Sequence, residues 1–323
     1  MIKRTIEVSR RAAHLSVRHG QLVVQPVNED KAAAKTIPCE DVGVVLIDHP
    51  AVTYTHRALC ELTAAGAAVV FCGEDHLPAG LLLPVSTHSQ VLSRLNQQID
   101  ATQPAKKRLW QQLVAAKVRH QAANVSPAMA ARRALDQLAT EVRSGDSTNV
   151  EAHAARLYWS AWLGPSTEAA RSSVTAGAPI RAAGFRRDQD GLDPLNAMLN
   201  YGYAVARAAI GRAIVAAGLL PALGVHHHHR GNAFALADDL IEPLRPLVDT
   251  RVRHLYRHGL GHDHLDQTTK AGLLALLTHP VQTGNTTGPL MVALHPYLAS
   301  FVECLGHTGA RLVVPTWSEP EPC

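Results

Sequence analysis

The spacing of apolar residues along the chain changes near residue 88. Before it, apolar side chains occur in short runs, as in 14–24 and 42–48, that alternate with polar ones or end at turn residues such as Gly20. After it, they recur every three to four residues over long stretches. A two-residue period predicts strands, and a period near 3.6 predicts helices. We therefore predict an α+β fold: a small N-terminal β-sheet domain with one helix over 1–87, and a larger all-α domain over 88–317.

The same patterns predict the individual elements. In the first part they are a hairpin over 14–24, strands over 42–48 and 67–73, and a helix over 56–65. In the second part they are helices over 88–100, 104–123, 127–144, 149–163, 193–218, 232–259, 265–278 and 288–306. The segment 77–86, with two prolines and a glycine, is predicted to connect the domains. The Glu- and Pro-rich end, 318–323, is predicted to be a disordered tail.

Composition narrows the class of protein. The 323 residues include 5 cysteines without a C-x-x-C pair, which indicates reduced thiols rather than a disulfide scaffold. No signal-peptide h-region opens the chain, and no run of roughly 18 apolar residues could span a bilayer. We therefore expect a cytoplasmic protein that does not use a membrane.

The charge is modest but unevenly distributed. There are 31 Lys and Arg against 27 Asp and Glu, and the excess lies within residues 91–150. A basic helical stretch permits contacts with nucleic-acid phosphates without establishing them. The fingerprints of ATP-binding P-loops, dinucleotide-binding folds and serine hydrolases are absent, which lowers support for those chemistries.

Acidic residues of the helical part form a candidate cation site. Asp239 and Glu242 are three residues apart on a predicted helix and share a face, and Asp238 could also meet Glu242. Two neighbouring carboxylates repel unless a cation or a proton lies between them. Pro243 lacks an N–H, so we predict a kink beside them. The alternative is a solvated acidic face that the proline merely bends.

Two further features have competing interpretations. Thr148 and Glu151 have the spacing of a capping box, so local pattern favours a capping role for Glu151. The tract His226–His229 can supply at most one or two ligands to a single ion, because four adjacent side chains cannot all face it. Oxygen ligands with a histidine suit Mg²⁺ or Mn²⁺, the second of which accepts imidazole more readily.

Ordered motifs in the helical part resemble a known family. They are Ser147-Thr-Asn-Val-Glu-Ala-His153, Asp193-Pro-Leu-Asn-Ala-Met198, Leu223-Gly-Val-His-His-His-His-Arg-Gly-Asn232 and Ala237-Asp-Asp-Leu-Ile-Glu-Pro243. Together they resemble CRISPR-associated endonuclease one, the larger subunit of the spacer-acquisition integrase, as found in type II systems with a single large effector. The resemblance covers nearly the whole chain.

The resemblance implies a catalytic metal site. Carried over by position, its residues are Glu151, His227 and Glu242, with Asp239 as an additional acidic neighbour, and they would bind Mg²⁺ or Mn²⁺. His227 is the matching position because it stands three residues after Gly224 and fifteen before Glu242. The neighbouring histidines are the ambiguity that this assignment leaves.

The resemblance also implies an activity and partners. It implies a homodimer that joins captured duplex DNA into a CRISPR repeat by transesterification, in a heterohexamer with a small companion subunit, in antiviral defence. Candidate DNA-binding residues are Arg181, Arg186, Arg187 and Arg245. Two alternatives stay open: a non-catalytic DNA-bridging subunit of this fold, and an unrelated helical metal-dependent phosphoesterase.

Overall fold

The computed structural model describes residues 3–29, 31–74, 78–85, 88–163, 185–188, 191 and 193–317. Its first part is built mainly of strands and its second mainly of helices, which confirms the predicted α+β class. Within these residues, no helix combines the length and the apolar character needed to cross a membrane. Arg181 and the predicted tail, 318–323, lie outside the described residues.

The strands of the first part form two four-stranded sheets. In chain order the strands are β1 (Arg4–Val8), β2 (Ala13–Arg18), β3 (Gln21–Pro26), β4 (Lys35–Pro38), β5 (Val42–Ile47), β6 (Thr53–Tyr54), β7 (Ala68–Cys72) and β8 (Pro78–Leu82). One sheet has the order β1-β5-β7-β8, with β8 antiparallel to a parallel trio. The other has the order β4-β3-β2-β6 and contains the predicted hairpin as β2 and β3.

Strand β5 lies between two hydrophobic cores. All six of its residues are buried. Because successive side chains of a strand point to opposite faces, Val44 and Leu46 join the large core of the helical part. Val45 and Ile47 pack on the other face, with Leu15 of β2, in the smaller core of the sheet part. The two parts therefore share a buried sheet.

The helices follow the predicted periods closely. They are α1 (His56–Ala64), α2 (Val91–Asp100), α3 (Gln103–Ala123), α4 (Ala130–Glu141), α5 (Val150–Ala161), α6 (Pro194–Ala216), α7 (Ala235–Ile241), α8 (Arg245–Arg257), α9 (Gln267–Leu274) and α10 (Leu290–Gly306). Thr55, Thr102, Asp193 and Asp266 cap α1, α3, α6 and α9 by accepting a backbone N–H. The helix predicted over 232–259 is broken by a 3-10 turn at Glu242–Leu244, which confirms the kink at Pro243.

Several strands were not among the predicted elements, and β1, β4 and β6 of the first part are three of them. The segment predicted to connect the domains contains β8, because a proline is tolerated as the first residue of an edge strand. The second part also contains a hairpin, β9 (Pro280–Thr283) and β10 (Thr286–Pro289), so it is mostly rather than entirely helical. Its strands are four residues long, too short for the apolar period to reveal them.

A buried ion pair joins the two parts. Lys270 of α9 places its Nζ 2.5 Å from Oδ2 of Asp48, which follows β5. The two side chains are 5% and 2% exposed. Gln267 adds a hydrogen bond to the hydroxyl of Ser9 across the same boundary. Because a buried charge is costly without its counterion, this pair favours one relative position of sheet and helices.

We expect Lys270→Met to lower the free energy of unfolding by about 3 kcal/mol, because Asp48 would lose its buried counterion. Denaturant unfolding of the full chain measures the change. Arg57→Met is the matched control, since its side chain is 70% exposed and its pair with Glu61 is a surface pair; the control should shift stability by less than about 1 kcal/mol. Equal effects of the two variants would contradict this account.

Candidate metal centre

Residues from four helical segments meet at one cluster of charges. Lys117 lies on α3, Glu151 in the first turn of α5, Glu242 in the 3-10 turn between α7 and α8, and Arg245 at the start of α8. The structure thus brings together two of the predicted acidic residues with two cations. The ammonium of Lys117 contacts both carboxylates.

Glu151 is placed by an unusual helix start. Asn149 adopts a left-handed conformation with φ 55°, and its side chain makes no capping bond. Instead, the carboxylate of Asp146 accepts the N–H of Val150 at 2.8 Å and of Glu151 at 3.0 Å. The predicted capping box was therefore wrong: Asp146 caps the helix, and the side chain of Glu151 is left for other contacts. Its Oε1 lies 2.5 Å from Nζ of Lys117.

Glu242 is buried and held between two cations. Its side chain is 7% exposed, Oε2 contacts Lys117, and Oε1 accepts a hydrogen bond of 2.8 Å from Nε of Arg245. Burial alone would raise the pKa of this carboxyl, but the charges of Arg245 and Lys117 outweigh burial and lower it to about 2. Glu242 therefore carries a negative charge throughout the physiological pH range.

Lys117 is a site residue that the motifs did not reveal. Its burial would lower the pKa of the ammonium, yet the charges of Glu242 and Glu151 raise it, so the side chain is positively charged. The sequence carried one indication of its position: it is a charged residue between the apolar positions Val114 and Val118 of an otherwise buried helix face. A buried lysine needs a partner, and the chain supplies two.

Asp239 organises the histidine loop. Its fully buried carboxylate accepts the backbone N–H groups of Val225, His226 and His227 at 2.6, 3.1 and 3.0 Å. The same carboxylate lies 2.7 Å from the ring Nδ1 of His227. That hydrogen bond, against the effect of burial, raises the pKa of His227. Both oxygens of Asp239 are thus used by the loop.

Gly224 permits this loop to pass close to α7. A Cβ at this position would lie 2.3 Å from the carbonyl oxygen of His227 and 2.8 Å from Oδ2 of Asp239. A side chain would therefore displace the loop from its carboxylate anchor. The glycine in the motif Leu223-Gly224 has this steric role.

The other histidines of the tract differ in their surroundings. The ring of His226 stacks on Trp110 with centroids 3.9 Å apart, and burial lowers its pKa. His228 and His229 are exposed. Among the four histidines, His227 is the one whose ring is bonded to an acidic residue of the predicted set.

The remaining acidic and basic residues have separate partners. Asp238 pairs with Arg207 at 2.5 Å, a different cation from the Lys117 ammonium that Glu242 shares with Glu151. Arg187 donates to the side chains of Asn196 at 2.8 Å and Asn200 at 2.5 Å, while Arg186 is exposed. Arg245 and Arg187 both lie near the ring of Tyr203, with guanidinium carbons 4.7 and 5.3 Å from its centroid.

The cluster suits a cation with hard oxygen ligands. It holds two carboxylates around one ammonium, and a divalent ion of the Mg²⁺ or Mn²⁺ type prefers such oxygens. Within the described ranges, however, no group of three His, Cys, Asp or Glu side chains is close enough to hold a metal ion. The donor set fits a divalent ion at Glu151 and Glu242 only if Lys117 gives up its contacts.

Comparison with known proteins identifies the family. The family model described as CRISPR associated protein Cas1 matches residues 6–278, which are most of the chain and include Lys117, Glu151, His227, Asp239 and Glu242. The chain belongs to the Cas1 family. It is 36% identical over 289 residues to the CRISPR-associated endonuclease Cas1 of Neisseria meningitidis serogroup C (strain 8013), covering 89% of this chain and 87% of that protein. This confirms the resemblance drawn from the motifs, including its likeness to a type II member.

Solved structures share the Cas1 fold. A casposase bound to integration product has a TM-score of 0.78 at 17% identity, covering 99% of this chain and 96% of that one. A chain of a Cas6-RT-Cas1–Cas2 complex has a TM-score of 0.71 at 18% identity, covering 99% of this chain and 36% of that longer one. At these identities the similarity establishes the fold alone.

Beneath the charge cluster lies a buried hydrogen-bond network centred on Asp249 of α8. The hydroxyl of Tyr158 donates to Oδ2 at 2.8 Å, and the hydroxyl of Tyr203 donates to Oδ1. Asn124 donates to the oxygen of Tyr158 at 3.2 Å and to the carbonyl of Pro246 at 2.6 Å. Burial raises the pKa of Asp249 to about 6, although the two tyrosine hydroxyls act to lower it.

This shift predicts a pH-dependent stability. A carboxyl of ordinary pKa near 3.8 ionises in the unfolded chain before Asp249 does in the folded one, so raising the pH from about 4 to 7 lowers stability. Asp249→Asn removes the ionisable group. The unfolding free energy of the wild type minus that of the variant should therefore decrease by about 3 kcal/mol as the pH rises from about 4 to 7. Denaturant titrations at several pH values measure it.

The control for this series is Asp136→Asn on α4, whose side chain is 56% exposed. Its pH profile should run parallel to that of the wild type, because the substitution changes a surface side chain and leaves the buried network of Asp249 intact. A constant difference between wild type and Asp249→Asn from pH 4 to 7 would contradict the raised pKa.

Proposed function

We propose that this Cas1 chain is a divalent-metal-dependent DNA endonuclease and integrase that inserts captured DNA into a CRISPR repeat array by transesterification. The observation that carries the proposal is the convergence of Glu151 and Glu242 on one cation, in a chain whose family match spans both residues. Its Neisseria relative is named an endonuclease, and the casposase structure holds an integration product.

The chain's own residues prepare the site. Glu242 is ionised at neutral pH, so it can act as a ligand without first losing a proton. Asp239 engages Nδ1 of His227 and fixes the ring by the same oxygen that holds its backbone, which leaves Nε2 as the nitrogen that can ligate. We assign Glu151, His227 and Glu242 as the metal ligands and Asp239 as the residue that positions His227.

A bound Mg²⁺ or Mn²⁺ would act as a Lewis acid that activates the attacking 3′-hydroxyl, or a water, and offsets charge on the phosphoryl oxygens. Arg245 keeps Glu242 oriented through Oε1, the oxygen that Lys117 does not contact. Transesterification exchanges one phosphodiester bond for another, so no nucleoside triphosphate is consumed. The absence of a P-loop sequence agrees with this chemistry.

The proposed partners follow from the same relatives. One structural neighbour is part of a complex that contains Cas2, and we propose that this chain likewise forms a homodimer that binds a small companion of the Cas2 type in a heterohexamer. Its substrates would be a duplex spacer precursor and the CRISPR repeat. Of the described candidate arginines, Arg186 is exposed ahead of α6 and is the one we propose to contact a DNA phosphate, since Arg187 and Arg245 already bond within the protein.

The activity is tested by strand transfer. With a labelled duplex, Mn²⁺ and the companion subunit, we expect Glu151→Ala, His227→Ala and Glu242→Ala each to lower the joining rate by about a hundredfold or more, because each removes a metal ligand. Glu141→Ala, an exposed carboxylate on α4, is the control and should join at the wild-type rate.

The outcomes separate the alternatives. Undiminished joining by the three ligand variants would reject the catalytic assignment. DNA binding without joining in any metal would favour a non-catalytic DNA-bridging subunit. Turnover of a small phosphate ester by a chain that does not bind DNA would favour an unrelated phosphoesterase.

DNA contact by Arg186 has its own test. Arg186→Ala should weaken duplex binding and reduce the slope of log affinity against log salt by about one, because one phosphate contact and its released counterion are lost. Fluorescence anisotropy at several salt concentrations measures the slope. Arg57→Ala, an exposed arginine on α1, is the control and should leave the slope unchanged.

A further inference from the structure

The ammonium of Lys117 occupies the position between the two proposed ligands. Its Nζ lies 2.5 Å from Oε1 of Glu151 and contacts Oε2 of Glu242. The side chain is 11% exposed and comes from α3, whereas the carboxylates come from α5 and from the turn after α7. One cation therefore joins three segments at this point.

The charges of the cluster balance without a metal. Glu151 and Glu242 supply two negative charges, and Lys117 and Arg245 supply two positive ones. A divalent ion added between the carboxylates would lie within contact distance of the ammonium. Like charges a few ångströms apart in a poorly solvated site repel strongly, so the ion and the ammonium cannot share both carboxylates.

The two cations of the cluster are not equivalent. Arg245 bonds Oε1 of Glu242 and lies against the ring of Tyr203, so it can stay when Oε2 changes its partner. Lys117 contacts the oxygens that face each other across the site. Its ammonium is a compact charge on a flexible four-carbon stem, and it contacts these two carboxylates, whereas the guanidinium of Arg245 is held by the ring of Tyr203 as well as by Glu242.

We propose that Lys117 is a positioning residue that holds Glu151 and Glu242 together before the metal binds, and that the divalent ion must displace it, which weakens metal binding by the chain alone. This inference rests on the proposed function, since it concerns the same metal site. It assigns to Lys117 a role in setting metal affinity rather than in contacting the substrate.

The test measures Mn²⁺ binding to the full chain without DNA by two methods. They are titration calorimetry and the electron paramagnetic resonance signal of free Mn²⁺. We expect Lys117→Met to bind Mn²⁺ about tenfold or more tightly than the wild type, because the competing charge is gone. Lys117→Arg keeps the charge and should not bind more tightly. Lys107→Met, an exposed lysine on the same helix, is the matched control and should match the wild type.

Thermal unfolding gives a second readout. Without metal, Lys117→Met should melt at a lower temperature than the wild type, because two facing carboxylates lose their counterion. Added Mn²⁺ should raise its melting temperature by more than it raises that of the wild type. If Lys117→Met does not fold, Lys117→Gln, which keeps a hydrogen-bond donor without the charge, replaces it in both measurements.

The possible results are distinguishable. Equal or weaker Mn²⁺ binding by the folded neutral variants would overturn the role of Lys117. If Glu242→Ala nevertheless abolishes Mn²⁺ binding, the proposed metal site is retained and only the role of Lys117 is rejected. Absence of saturable Mn²⁺ binding in wild type and Lys117 variants alike would instead reject the proposed metal function, and the inference with it.

Discussion

The burial of the Glu242 carboxylate is the constraint on which the arrangement of the helical part depends. A buried carboxylate is costly unless cations and hydrogen bonds compensate for its lost hydration. Here an ammonium from α3 and a guanidinium from α8 do so, and the ammonium also draws in Glu151 from α5. Segments separated by more than a hundred residues are thereby tied at one point. Among the described residues of these helices, Lys117 is the one cation that contacts two carboxylates.

The acidic residues after the histidine tract divide their tasks by position. Asp238, Asp239 and Glu242 lie within five residues, yet they bind Arg207, the loop of His227, and Lys117 with Arg245, respectively. Successive residues of a helix point in different directions, and the 3-10 turn at Pro243 changes the direction again. A sequence that looks like one acidic patch therefore serves three sites.

The charge cluster is connected to the buried hydrogen-bond network of Asp249. Tyr203 connects the two levels: its ring lies beside Arg245 and its hydroxyl donates to Asp249. Further away, β5 belongs to both cores, and the pair of Lys270 with Asp48 holds the sheet part against the helices. The cation cluster thus rests on a scaffold of buried polar contacts as well as apolar packing.

The sequence by itself determined the helices and the main strands, the family and the candidate acids. The apolar period located the helices to within a few residues, and the break at Pro243 followed from its missing N–H. The sequence prediction failed where one local pattern is compatible with two structures. Thr148 and Glu151 have the spacing of a capping box, but the carboxylate of Asp146 caps the helix. Only the tertiary structure decided that Lys117 lies between Glu151 and Glu242 and that Asp239 serves the loop. Those contacts join residues far apart in the chain, and local spacing carries no information about which buried charges will meet.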